Sequence, residues 1–186
     1  MSERERPGSA RAPAGAPSAI VVMGVSGSGK TTVGRALAVR LGWTFHDGDD
    51  YHPPANVEKM RAGQPLNDED RGPWLDRLNA LLRHSAAKRQ PVVLACSALR
   101  QRYRDRLSRR VDGLLFVHLT GSYDQVAQRL AERAHRYMPA SLLASQFEAL
   151  EPPADALTVD VAASVEEIVD TVARRVAQGP REPGSG

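Results

Sequence analysis

The sequence predicts an α/β fold, a five-stranded parallel sheet flanked by helices. Five short strand-like segments are spaced along the chain, and the first and third read as strands buried on both faces, the first a continuous apolar run. Segments with apolar residues at helical spacing separate them, and such alternation calls for right-handed crossovers over a parallel sheet. At 186 residues the chain is long enough for one substantial core and short for two.

The first strand is "SAIVVMG", followed by a helix over "KTTVGRALAVRL", where Val33, Leu37 and Leu41 form one stripe. "WTFHD" is the second strand. A helix is expected from about Pro73, with Trp74, Leu75, Leu78, Leu81 and Leu82 on one side. "PVVLACSAL" is the third strand, and "LRQRYRDRL" a helix whose Leu99, Tyr103 and Leu107 share a face. The fourth strand, "GLLFVHLT", leads into a helix near Tyr123 to Ala134, and "PASLLASQFEAL" forms another, with proline in its first turn. "ALTVDV" is the fifth strand. Ser164 and Glu167 then make a capping box for a last helix that ends before Gly179.

Residues 1–17 and 179–186 carry too little apolar surface to offset their ordering entropy, so both are expected as disordered tails around one domain over 18–178. The 25 Lys and Arg against 22 Asp and Glu leave a formal charge of only +3, which does not call for nucleic acid. "RQRYRDRLSRR" has six arginines, but its apolar stripe reads as a crossover helix with a solvated basic face. A single cysteine, Cys96, excludes an internal disulfide framework and a structural zinc site; it reads as a small buried residue at a strand end. His118 reads as a core residue. The N-terminus lacks an apolar signal region and no run is long enough to span a bilayer, so no membrane is expected and a cytoplasmic location is.

Gly24 to Thr31, "GVSGSGKT", fits G-x-x-x-x-G-K-[ST] between an apolar strand and a helical pattern, the context a phosphate-binding loop requires. Glycines let backbone N–H groups turn inward on an anion, and the helix beginning near Gly29 adds its positive dipole end. Gly24, Ser26, Gly27, Ser28, Gly29, Lys30, Thr31 and Thr32 are the nucleotide-binding candidates. Lys30 would reach the β- and γ-phosphates, and Thr31 would ligate magnesium. ATP is favoured over GTP because no N-K-x-D-like guanine reader occurs.

The second strand ends in "HDGDDYHPPANVEKM". Were the backbone extended through Asp47 and Asp49, their side chains would share a face, with Gly48 permitting close approach. Two carboxylates beside a triphosphate suit a kinase: Asp49 as the base that orients or deprotonates an acceptor hydroxyl, Asp47 in the magnesium's outer sphere. Lys59 and Arg71 either pair with an anionic acceptor or sit solvated at the surface; the sequence leaves both open.

"MGVSGSGKTT", "HDGDDYHPPANVEKMRAGQPLNDEDRGPWL", "ACSALRQRYRDRL" and "MPASLLASQFEALE" together resemble gluconokinase of the small, shikimate-kinase-like phosphate-loop type, from about Ile20 to the final helix. The resemblance implies a fold of the nucleoside-monophosphate and shikimate kinase type with a lid, here about 129–145. It implies transfer of the ATP γ-phosphoryl group to the 6-hydroxyl of D-gluconate with Mg²⁺, in an enzyme commonly dimeric. The family pattern makes Asp49, Lys59, Arg71, Ser97 and Gln146 acceptor contacts, Ser97 and Gln146 as hydroxyl readers. Arg104 is a further candidate cation for the anionic acceptor. Where members carry glycine, histidine and an aromatic before the "MP" of the lid, this chain has His135, Arg136 and Tyr137.

Arg129 and Arg133, four apart on the helix after the fourth strand, share a face and suit lid arginines that close over the nucleotide. Rival readings are a shikimate-like or nucleoside-monophosphate kinase of the same architecture, and a nucleotide-controlled switch. "HPPANVEKM" and "SQFEALE" argue against the first; the Asp47-Gly48-Asp49 turn and the lid arginines argue against the second.

Overall fold

A computed structural model describes residues 15–132 and 140–179. Five parallel strands form one sheet: β1 (Ala19–Met23), β2 (Thr44–Asp47), β3 (Val92–Ala95), β4 (Leu114–Thr120) and β5 (Leu157–Asp160). Their order across the sheet is β2-β3-β1-β4-β5, so the strand that feeds the phosphate-loop motif is central.

Alternation along β1 divides the core. Ala19, Val21 and Met23 join Trp74, Leu75, Leu78, Leu82 and Leu107 beneath α3 (Asp68–Lys88) and α4 (Gln101–Ser108). Ile20 and Val22 face the other way, onto Val33 and Leu37 of α1 (Lys30–Leu41) and Ile168, Val169, Val172 and Val176 of α7 (Val165–Ala177). Every residue of β1 is buried, which explains its unbroken apolar run. A third cluster, Val25, Leu99, Val126 and Leu143, lies at the carboxyl edge with α5 (Tyr123–Glu132) and α6 (Ala140–Ala149), forming an apolar footing under the loop that follows β1.

Several boundaries differ from expectation. Helix α3 starts five residues before Pro73, because Asn67 and Asp70 form a reciprocal capping box and three acidic residues sit in its first turn. Pro73 falls inside the helix, near enough to its start that little of the hydrogen-bond ladder is lost. Helix α2 (Pro54–Arg61), absent from the sequence expectation, begins with proline at its first position. Leu99 precedes α4 and packs in the third cluster, so only Tyr103 and Leu107 make the expected stripe. The Ser164–Glu167 capping box of α7 is present as read.

The basic face of α4 is less solvated than expected. Arg106 forms a two-point pair with Asp76 at 2.7 Å for each contact, Arg102 pairs with Asp68, and Arg104 is only 3% exposed. Replacing Asn67 by alanine removes the α3 cap and is expected to lower stability by about 0.5–2 kcal/mol in urea unfolding; an unchanged midpoint and slope would show that the cap contributes nothing.

Candidate active site

The motif residues lie at the carboxyl edge of the sheet, where open α/β folds bind ligands. Gly24 follows β1, and its N–H donates to the carbonyl of Ser97 beyond β3 at 3.3 Å, so the loop's first residue is tied to the neighbouring strand. Gly27 has φ +81°, and a Cβ there would lie 2.5 Å from Leu130 Cγ on α5. The loop therefore turns through a left-handed conformation under a packed leucine, a place for glycine alone.

The first helical bond of α1 runs from Val33 N–H to the Gly29 carbonyl at 2.9 Å, leaving the N–H groups of Lys30, Thr31 and Thr32 without helical acceptors. Those donors and the helix dipole make an anion site. Ser28 is 2% exposed, and its Oγ has no hydrogen-bond partner, an orphaned hydroxyl at the floor of the loop. Two loop amides are engaged otherwise. Ser28 N–H donates to Val25 O at 3.2 Å, and Ser26 N–H donates to Gln146 Oε1 at 2.7 Å.

Lys30 Nζ donates to the Val25 carbonyl at 3.0 Å, folded back along its own loop. Burial lowers its pKa, against the opposing pull of Asp49, Cys96 and Asp47. The ammonium is thus short of solvation and placed between the loop and both carboxylates.

Asp47 ends β2, and Gly48–Tyr51 forms a single 3-10 turn, so the strand alternation expected to align Asp47 with Asp49 does not continue. A local bond relates them instead: Asp49 N–H donates to Asp47 Oδ1 at 3.2 Å. Asp47 Oδ2 accepts from Thr31 Oγ1 at 3.0 Å, while the Asp49 side chain is 83% exposed. Gly48 is where close approach is needed. A Cβ there would stand 2.6 Å from the Ala95 carbonyl of β3, and its own carbonyl accepts from Trp74 Nε1 at 2.7 Å.

Thr31 and Asp47 offer hard oxygen donors beside the loop, a set that fits Mg²⁺. Among the described residues no cluster of three or more His, Cys, Asp or Glu is gathered. One or two protein oxygens, with phosphates and water completing the shell, is how Mg²⁺ is commonly held at nucleotides.

The remaining candidates are distributed unevenly. Lys59 Nζ pairs with Asp70 Oδ1 at 2.6 Å, which with the Asn67 N–H holds the Asp70 carboxyl below its ordinary range. Arg71 donates to the Leu66 carbonyl and lies 5.7 Å from the centre of the Tyr103 ring. Gln146 reaches the loop, its Nε2 donating to Ser26 Oγ at 3.0 Å. Arg129 donates to the carbonyl of Val161, the residue after β5. Arg104 differs most from its expectation as an acceptor cation. Its guanidinium donates to the carbonyls of Ala98, Leu99 and Glu151 and to Gln101 Oε1, which makes it a tie between loops. Thr32 is exposed on α1. Arg133, with His135, Arg136 and Tyr137, lies outside the described residues.

Cys96 is 2% exposed, and burial pushes its thiol up to about 12, so it is no nucleophile at neutral pH. His118 is 4% exposed, with burial and then Arg104 holding its pKa below the ordinary value.

A central parallel strand, a glycine loop with a half-buried lysine, and a hydroxyl–carboxylate pair at a nearby carboxyl edge define a phosphate-loop kinase. The family model described as shikimate kinase matches residues 26–177. A gluconokinase from Gluconobacter oxydans is 52% identical over 139 residues, 75% of this chain and 78% of that one. A probable gluconokinase from Xenopus tropicalis is 47% identical over 171 residues, covering 82% and 90%. The crystal structure of a gluconokinase from Sinorhizobium meliloti superposes with a TM-score of 0.79 at 46% identity, covering 87% of this chain and 93% of that one. The chain belongs to the gluconokinase family of shikimate-kinase-like enzymes.

Proposed function

We propose that this enzyme transfers the γ-phosphoryl group of ATP to the 6-hydroxyl of D-gluconate, giving 6-phospho-D-gluconate and ADP. The observation that carries the reading is the Thr31–Asp47 contact, which joins the phosphate loop to the turn bearing Asp49 and so sets nucleotide and acceptor groups side by side. The relatives' activity, named for gluconate, supplies the acceptor.

Phosphoryl transfer asks mainly for in-line positioning and charge neutralisation. The N–H groups at the start of α1 and the glycine loop hold the phosphates, and Lys30 exchanges the Val25 carbonyl for a phosphate oxygen. Thr31 would ligate Mg²⁺ and Asp47 would stand in its outer sphere, where the ion would supply further neutralisation of phosphate charge. Asp49 orients the hydroxyl, whose oxygen forms the new bond to phosphorus while the bond to the bridging oxygen of ADP breaks; the hydroxyl proton passes to Asp49. Gluconate is an anion meeting an anion, so Lys59 and Arg71 serve as fixed cations, and Ser97 and Gln146 read hydroxyls. Residues 129–145, with Arg129, act as the lid of a single domain over 18–178. The family resemblance supports a homodimer; no helix among the described residues is long and apolar enough to cross a membrane.

ADP release measured with ATP, Mg²⁺ and a panel of gluconate, other sugar acids, shikimate and nucleoside monophosphates tests the reading. Gluconate is expected to give the highest kcat/KM. Preference for another acceptor would overturn the substrate, and equal ADP release without acceptor would point to an ATPase or switch.

A further inference from the structure

His52 closes the turn that carries Asp49, and its side chain is 6% exposed beside that open carboxylate. Trp74 stacks on the ring with centroids 4.3 Å apart and 13° between planes. Trp74 is itself anchored through Nε1 to the Gly48 carbonyl, so platform and turn move together.

Asn56 on α2 decides which ring nitrogen carries the proton. Its Nδ2 donates to the Asp70 carbonyl at 2.8 Å, and because a carbonyl only accepts, the amide orientation is fixed. The other hydrogen of that NH2 group faces His52 Nδ1 at 3.4 Å, which must present a lone pair. Asn56 is 4% exposed, so water competes little for either hydrogen. The proton of the neutral imidazole therefore sits on Nε2, the atom facing Asp49 Oδ1 at 3.9 Å. Burial holds the ring below its ordinary pKa, against Asp49 and aided by Arg71, which keeps it neutral at neutral pH.

We propose that His52 is a positioning residue for Asp49: its Nε2–H, fixed by Asn56 and the Trp74 stack, holds one carboxylate oxygen while the other meets the acceptor hydroxyl. The proposal rests on Asp49 being the base. An exposed aspartate samples several rotamers, and only some aim at the acceptor. A small side-chain rotation shortens 3.9 Å to a hydrogen bond and selects among them, leaving the second oxygen free for the proton.

Nitrogen-15 spectra of the full-length protein, with the His52 signals assigned by their loss in His52→Gln, read the tautomer directly. A protonated Nε2 and bare Nδ1 are expected, with the Nδ1–H form appearing in Asn56→Leu. His52→Phe keeps the stack but loses the N–H, and should lower kcat about 10- to 100-fold with the KM for ATP within about twofold. His52→Gln retains an N–H and should recover most of that loss. A dominant Nδ1–H form, a wild-type kcat in His52→Phe, or equal losses in the Phe and Gln variants would overturn the positioning role alone. Full activity of Asp49→Asn would overturn the base assignment, and the positioning role with it, whatever the tautomer.

Discussion

Replacing Lys30 by alanine is expected to lower kcat by about 10³-fold or more, roughly 4 kcal/mol of transition-state stabilisation. The side chain lies at the start of α1, with its ammonium 3.0 Å from the Val25 carbonyl and two carboxylates in its field. Partial burial limits its hydration and lowers its pKa, so a phosphate oxygen offers more than the neutral carbonyl it now meets. Without it, Asp47, Asp49 and a polyphosphate would share one edge with a large part of the compensating charge gone. Lys30→Met, which keeps the bulk of the side chain, separates lost charge from lost packing. Steady-state rates with circular dichroism as a fold control decide the matter, and a kcat within tenfold of wild type in a folded Ala variant would remove Lys30 from the mechanism.

Asp49→Asn is expected to reduce kcat by about 10²- to 10⁴-fold while leaving the KM for ATP nearly unchanged. The substitution conserves shape, the side chain is exposed, and the bond to Asp47 comes from the Asp49 backbone, so the turn survives. What disappears is the ability to take a proton. Equal losses in kcat and ATP affinity would instead place Asp49 in nucleotide binding, and an unchanged rate would end its role as base.

The phosphate loop was legible because its information is local: eight consecutive residues, a strand before and a helix after. Strands β1 and β3 were legible for a related reason, since burial on both faces leaves an apolar run in each, whereas β2 and β5 are partly exposed and mix polar residues with apolar ones. Contacts between distant residues were not. Arg104 looked like one more cation in a basic run, and only the carbonyls of Ala98, Leu99 and Glu151 reveal why it is buried. Alternation mis-stated how Asp47 and Asp49 are related because β2 stops at Asp47, a boundary that Gly48 marks only in hindsight. Helix α2 is short and polar and follows two prolines, so its periodicity is too weak to stand out. Proline favours a first helical turn, which draws the expected α3 start to Pro73, while the true start lies at the cap that Asn67 and Asp70 form. His52 gave no sign in sequence, for its orientation depends on Asn56 and through it on Asp70.

The strand order has a bearing on how the enzyme is made. The loop after β1 and the acidic turn after β2 are separated in the sheet by β3, which is translated later than either. On the ribosome, the first 91 residues contain Lys30, Asp47 and Asp49 but not the strand that seats them in register. A nascent chain halted there holds the proposed catalytic side chains without the scaffold, and competence cannot precede the emergence of Val92–Ala95, which pairs between its two predecessors.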